Sequence, residues 1–437
     1  MGMSYATQNV EKRGKKRLAG AKQGKGQKKS EERAKARKRQ RKSKKAKRTP
    51  RRRRRADGIR IGIKGTKEML TSVFKDVHAK RVESIANYSV GVMQARTAAV
   101  QAIGAAYAET ANIKPKHGIK QVDRFLSNKG IDVEASTSAW VKFVLGPRKK
   151  ALLIQDWTEF DSDDHTTLCV YLATAHGRAT PLAWKTFQKS TLTKGARTNA
   201  EHAMIDHLAR AIPPEIEITL LADRGFGSTA FYRTLSLLGW DYVIRFKGTV
   251  IVHSNDESKP AKEWLPASGR AKKLLNAKVT RKEHQVGAVV VVQRKGMKEP
   301  WYLATSFSAK SATALIKLYG RRFTIEETFR DQKDLHFGMG LSSTHIRDPQ
   351  RRDRLLMLLA IAQAILTLLG AASERAGLDA YLKANTVKKR THSLFRQGSY
   401  WYRCLPTMRD DWFERLIRAF DEVLVEHAHL SQICGQI

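Results

Sequence analysis

Residues 355–372, LLMLLAIAQAILTLLGAA, restrict this chain more than any other stretch. A run this apolar has two places to go, a lipid bilayer or the middle of a protein core. Its length nearly meets the roughly 20 residues that a membrane-spanning helix needs. Gln363 interrupts it, the basic RDPQRRDR (347–354) abuts it, and no second span follows. The segment therefore predicts a buried helix in a soluble core, with enough chain around it to enclose it. At 437 residues, that chain has room for about two to three domains.

The formal net charge of +41 exceeds what solubility needs, and the expected partner is a polyanion. Residues 1–55 hold 25 Lys and Arg against 3 Asp and Glu, yet the remainder is also strongly basic. Residues 1–65 form a low-complexity segment ending in RRRRR (51–55), too polar to offset its ordering entropy and so expected to be disordered alone. It fits either a DNA-binding arm without sequence preference or a solvated tail. Cys169, Cys404 and Cys434 are widely spaced and odd in number, which suits neither a disulfide framework nor a zinc site. With no apolar stretch at the N-terminus, a reduced, cytoplasmic chain is expected.

From Thr66 to about Ser138 the apolar spacing is helical, as a DNA-contacting module or a plain helical cap would have it. The period then changes. KALLIQDWT (150–158), TTLCVYLATA (166–175) and TPLAWKTF (180–187) predict strands, and NAEHAMIDHLARAI (199–212) an amphipathic helix. IEITLLADRGF (216–226), STAFYRTLSLLG (228–239) and DYVIRFKG (241–248) predict a strand, a helix and a fifth strand. Three strands, helix, strand, helix, strand is the order of a ribonuclease H-like α/β fold. Residues 249–305 interrupt it with β-type runs such as VGAVVVVQR (286–294). The expected domains are the arm (1–65), an N-terminal helical DNA-binding region (66–148), the core in two parts (149–248 and 306–375), the β insertion (249–305) and a C-terminal helical region (376–437).

Asp156 is expected to end the first apolar strand, where a carboxylate is costly without a partner. Asp223 falls at the carboxyl end of the fourth strand, where open α/β sheets place their sites. YGRRFTIEETFRDQK (319–333) then crowds acids and bases into one expected helix. Tyr319, Arg322, Glu326 and Lys333 share a stripe roughly 60° wide, beside an apolar strip of Leu318, Ile325 and Phe329. Glu327 and Asp331 point away. Alone, the helix fits ordinary i,i+4 ion pairing or a phosphate site in which Glu326 holds a metal and the cations hold a nucleic-acid backbone. Asp156, Asp223 and Glu326 from separate elements suit two hard divalent ions, Mg²⁺ or Mn²⁺. EFDSDDH (159–165) is better explained as a polar hairpin turn, and His427 and His429 match no metal spacing. Trp301 is either a core aromatic or a platform for an unstacked base.

Tyr319-x2-Arg322-x3-Glu326-x6-Lys333 resembles the signature of DDE transposases of the insertion sequence four family, and LIQDWT and LLADRGF resemble that family's two aspartate motifs. EPWYLATS (299–306), IEETFRDQK (325–333) and ANTVKKRTHSLFRQG (384–398) look most like the transposase of insertion sequence ten. The resemblance covers roughly residues 66–437; the basic arm departs from it, since close relatives begin near Met69. It implies a ribonuclease H-like core with a β insertion, and cut-and-paste transposition with Mg²⁺ through a hairpin at the transposon end. Asp156, Asp223 and Glu326 would then be the catalytic metal ligands, with Tyr319, Arg322 and Lys333 on DNA near the cleaved end and Trp301 at the base-stacking position. The implied partners are terminal inverted repeats, target DNA and a second copy in a synaptic complex, in a bacterial, nucleoid-associated setting.

Overall fold

A computed structural model describes residues 62–336 and 338–429. The arm up to residue 61, Cys434 and the side chains of His427 and His429 lie outside the described residues. Five helices come first: α1 (Ile63–Val73), α2 (Ala79–Ala95), α3 (Val100–Ala111), α4 (Pro115–Ser127) and α5 (Val133–Leu145). α1 starts inside the segment assigned to the arm, because Thr66 and Leu70, one turn apart, pack inward. Pro115 opens α4 and the Asp132 carboxylate caps α5 by accepting from the Ala135 N–H.

The core elements then follow in the expected order. They are β1 (Lys150–Phe160), β2 (His165–Ala173), β3 (Ala179–Gln188), α6 (Ala196–Ala211), β4 (Glu217–Ala222), α7 (Thr229–Leu237) and β5 (Asp241–Arg245). β1 pairs antiparallel with β2 and parallel with β4, and β4 pairs parallel with β5. Asp156 does not end β1. The strand runs on to Phe160 because β2 stays paired with it that far, whereas pairing with β4 stops at Gln155.

Residues 249–305 are not a single insertion. β6 (Ile251–Ser254), β7 (Glu257–Pro260), β9 (Lys278–Val279) and β10 (His284–Gln285) make a separate four-stranded sheet. β8 (Lys272–Leu275), β11 (Ala288–Val292) and β12 (Trp301–Thr305) instead extend the main sheet, giving the order β3-β2-β1-β4-β5-β12-β11-β8. The physical reason lies in β11, whose AVVVV is buried at every position and so suits a strand covered on both faces.

α8 (Ala312–Gly320) and α9 (Thr324–Lys333) follow, then α10 (Pro349–Arg375), α11 (Leu394–Cys404) and α12 (Asp410–His429). α10 contains the apolar run and packs against α2, α11, α12 and β3. By length and composition alone it could cross a membrane, with a mean hydropathy of 2.3, but 78% of that window is buried inside the protein. Its one interior amide has a partner: Gln332 Nε2 donates to Gln363 Oε1 at 3.0 Å, while Gln332 Oε1 accepts from the Tyr171 hydroxyl at 3.0 Å. That chain ties β2, α9 and α10 together.

Asp353, in the second turn of α10, turns its carboxylate onto Thr186, whose N–H and Oγ1 donate at 3.0 and 2.6 Å. Burial pushes this carboxyl up to about 7, against the pull of those two hydrogen bonds. A carboxyl whose pKa is raised on folding stabilises the fold fully at pH values below its unfolded pKa, and that contribution is lost as pH rises through the folded one. Stability should therefore fall between about pH 4 and 7 by roughly 3 kcal/mol, allowing for partial screening. Asp353→Asn is expected to flatten that slope in urea unfolding at a series of pH values; an unchanged slope would mean the group is already ionised in the fold.

Candidate active site

The site is assembled where the pairing of β1 with β4 stops, inside β1 and just past the carboxyl end of β4. Gln155 and Ala222 are the last register partners of these parallel strands, so Asp156 and Asp223 occupy the next, equivalent position on each. Side chains at matched positions of neighbouring parallel strands share a face, on strands about 4.8 Å apart. Asp223 is extended at φ −78° and ψ 176°, after which the chain turns sharply through Arg224–Phe226.

The third carboxylate arrives on α9. The expected single helix over 319–333 is two helices, α8 and α9, joined by a 3₁₀ turn at Arg321–Phe323, with Gly320 and Thr324 both in right-handed helical conformation. The tighter turn brings Tyr319 and Arg322 inward, 1% and 7% exposed. The buried face of α9 is Ile325, Thr328 and Gln332 rather than Leu318, Ile325 and Phe329. Thr328 fixes the helix on β3: its Oγ1 accepts from the Ala179 N–H at 2.8 Å and approaches the Ala179 carbonyl at 3.1 Å. Glu327 and Asp331 leave the stripe as expected and both pair with Arg178.

Arg322 is the centre of the arrangement. Its Nη1 donates to Asp156 Oδ2 and its Nη2 to Glu326 Oε1, each at 2.8 Å. Burial opposes the guanidinium charge, but Asp156, Tyr319, Asp223 and Glu326 together outweigh it and raise the arginine pKa. All three sequence-derived carboxylates thus act on one cation. Burial pushes Asp156 up to about 6; Arg322 and the Trp157 N–H pull it back, while Asp223 raises it further. Asp223 Oδ1 is buried with no hydrogen-bond partner.

Among the described residues, no group of three or more His, Cys, Asp or Glu is spaced to hold a metal ion. The three carboxylates do not stand as a ready ligand cage, because the guanidinium occupies the space between Asp156 and Glu326. Without a bound cation the acids would repel one another, and Arg322 supplies the countercharge. Their chemistry still suits Mg²⁺ or Mn²⁺: the donors are all carboxylate oxygens, and one of them is orphaned.

Lys333 borders the site from the far end of β1. Its ammonium donates to the Glu159 carbonyl at 2.6 Å and lies 4.4 Å from the Phe160 ring centroid. Trp301 is half-buried, meets Tyr319 edge-on at 5.0 Å and stacks on Phe323 at 5.7 Å. The acidic turn 159–165 is occupied structurally: Asp163 pairs with Arg352, Asp161 with Lys189, and Asp164 accepts from Ser190.

Sequence reasoning missed three charged neighbours. Arg224 and Arg245 both pair with Glu299, at 3.3 and 2.7 Å, beside Asp223. Arg224 follows Asp223 directly, but nothing in the spacing of Arg245 or Glu299 marks them, since β5 and β12 become neighbours only in the sheet. No curated protein matches the chain. Residues 187–365 match the family model described as the transposase DDE domain, from the end of β3 into α10, a span that takes in Asp223 and Glu326 and begins after Asp156. That match supports a transposase of the DDE type.

Proposed function

We propose that this protein excises and inserts an insertion sequence by cut-and-paste transposition, as a member of the insertion sequence four family close to insertion sequence ten. One observation carries the reading: Asp156 and Asp223 at equivalent positions on adjacent parallel strands, with Glu326 and both strands' acids converging on Arg322. The strand order β3-β2-β1-β4-β5 with α6 and α7 between supports a ribonuclease H-like core.

In this reading Asp156, Asp223 and Glu326 would hold two divalent ions, Mg²⁺ with Mn²⁺ as substitute. When bound, these ions supply charge stabilisation at the attacking and leaving oxygens of an in-line phosphoryl transfer. The chain's own groups bind and orient the DNA. Arg322 exchanges its carboxylate partners for a phosphate oxygen, which a planar guanidinium engages well. Lys333 contacts the backbone beside it, Tyr319 reaches the backbone only once its side chain leaves its buried position, and an overall positive charge draws the polyanion in. The partners are the terminal inverted repeats, target DNA and a second copy in a synaptic dimer, at the nucleoid of a bacterial cytoplasm.

The test uses the full chain and a donor plasmid carrying the coding region with its flanking DNA. Mg²⁺-dependent excision at matched inverted repeats, followed by joining to a target plasmid, is the expected result. Cleavage without joining would favour a nuclease of the same fold, and binding with neither would mean an inactive DNA-binding descendant.

Trp301 is assigned to hairpin handling. It stacks on Phe323 in an aromatic group that includes Tyr319, and stacking a base on such a ring recovers about 1–3 kcal/mol. Trp301→Ala should nick at a normal rate but accumulate nicked DNA before hairpin formation, with Trp301→Phe in between. Equal slowing of nicking would make Trp301 a packing residue of β12.

A further inference from the structure

On the flank of α9 away from Glu326, three arginines from two helices come together. Close packing decides which side of α11 faces out. A Cβ on Gly398 would lie 1.7 Å from the Leu366 carbonyl oxygen, and one on Gly370 would lie 1.9 Å from that of Leu394, so α10 and α11 touch backbone to backbone there. That contact turns Gln397, Gly398, Trp401 and Tyr402 inward and leaves Arg396, Tyr400 and Arg403, at i, i+4 and i+7, on the outer face.

Arg96 joins them from α2, which packs on α10 and α11. It ends α2 in the left-handed conformation at φ 55°, exposed, with its N–H returning to the Val92 carbonyl. The turn that follows is anchored beyond α9: the Ala98 N–H and Thr97 Oγ1 both donate to the Met339 carbonyl, at 2.7 and 3.3 Å. Arg403 and Arg396 each act on Arg96 by like-charge repulsion, in addition to its burial. Arg396 also reaches electrostatically to Asp331 on α9.

Two basic residues nearby, Arg375 at the end of α10 and Arg390 just before α11, are neutralised. Arg390 pairs with Glu374, and Arg375 pairs with Glu426. Neither Arg96 nor Arg403 has an ion-pair partner among the described residues. Clustering like charges is costly unless an anion relieves it. Arg396 and Arg403 are about 10 Å apart along the helix axis, too far to share one phosphate ion and suited to successive groups on one backbone. Between them Tyr400 lies 39% exposed, with the Arg403 guanidinium 5.6 Å from its ring centroid.

We propose that Arg96, Arg396, Arg403 and Tyr400 form a second DNA-backbone contact surface, separate from the carboxylates and from the Tyr319–Lys333 stripe. The inference rests on the transposase reading and adds where the duplex is held beyond the cleaved end.

The test is anisotropy of a labelled duplex of arbitrary sequence with the full chain, titrated across potassium chloride concentrations. Each lost phosphate contact lowers the slope of log K against log salt by about 0.9, so Arg96→Gln/Arg403→Gln should lower it by about 1.8. Binding near 0.15 M salt should weaken about thirty-fold if the two proteins converge at 1 M. The control is Arg375→Gln/Arg390→Gln, which removes two arginines that carboxylates already neutralise and should leave the slope near its original value. Thermal melting of both variants verifies folding. An unchanged slope in Arg96→Gln/Arg403→Gln, or an equal fall in the control, overturns the surface. Such a failure in a chain that still cleaves DNA through Asp223 leaves the transposase reading intact. An unaltered chain with no salt-dependent DNA binding would sink both.

Discussion

Asp156→Ala, Asp223→Ala and Glu326→Ala are each expected to lower Mg²⁺-dependent cleavage and joining by at least about 10³-fold while DNA binding persists. Stabilising the developing charge of phosphoryl transfer is worth several kcal/mol, and each 1.36 kcal/mol is tenfold in rate. Binding survives because cations elsewhere hold the backbone. Glu327→Ala is the informative control, since Glu327 pairs with Arg178 and Arg330 rather than Arg322. It should cleave at close to the normal rate. A dead Glu327→Ala beside an active Glu326→Ala would overturn the assignment of α9. Substrate-length duplexes with end-labelled strands read both steps in one gel.

Arg322→Ala is the second large effect, and its readout includes more than activity. Removing one partner of a buried ion pair typically costs about 3–5 kcal/mol, because the remaining charge is left uncompensated. Asp156, pushed up to about 6 by burial in spite of Arg322, has a way out by taking a proton. The loss should therefore be large at pH 7.5 and smaller at pH 5, where that carboxyl is mostly neutral. If the proposed ions bind there, a divalent ion would have to displace the guanidinium from Asp156 and Glu326 in the unaltered protein, but not in Arg322→Ala. Since a ligand that binds only the folded state raises stability by RT ln(1 + [L]/Kd), Mg²⁺ should raise the melting temperature more in Arg322→Ala than in the parent. Equal shifts would mean that the guanidinium does not stand in the ions' place. Cleavage should fall with the same substitution, and Arg322→Lys should recover charge but not the two-armed geometry.

The amino-acid sequence by itself determined the order of the core elements and the burial of residues 355–372, and it singled out Asp156, Asp223 and Glu326 as candidate carboxylates. These are local properties. A period-two or period-3.6 apolar pattern is set by neighbours a few residues away, and a carboxylate at the edge of an apolar run stands out wherever the run goes. The register that sets Asp156 level with Asp223 was not legible, because it depends on β1 pairing with a strand more than sixty residues later. The same holds for β8, β11 and β12. Their runs looked like an insertion, and only the antiparallel pairing of β12 with β5 makes them part of the main sheet. The helix over 319–333 shows the limit most clearly. Its spacing correctly grouped Tyr319, Arg322 and Glu326, since i to i+4 neighbours stay neighbours across a 3₁₀ turn. Spacing said nothing of where the guanidinium would point, and that was settled by Asp156, 166 positions away along the chain. Arg245 and Glu299, and the arginines of α2 and α11, likewise come together only through strand pairing and glycine-mediated helix contact. Electrostatics acts through space, and the spatial neighbours of a charge are decided by tertiary packing.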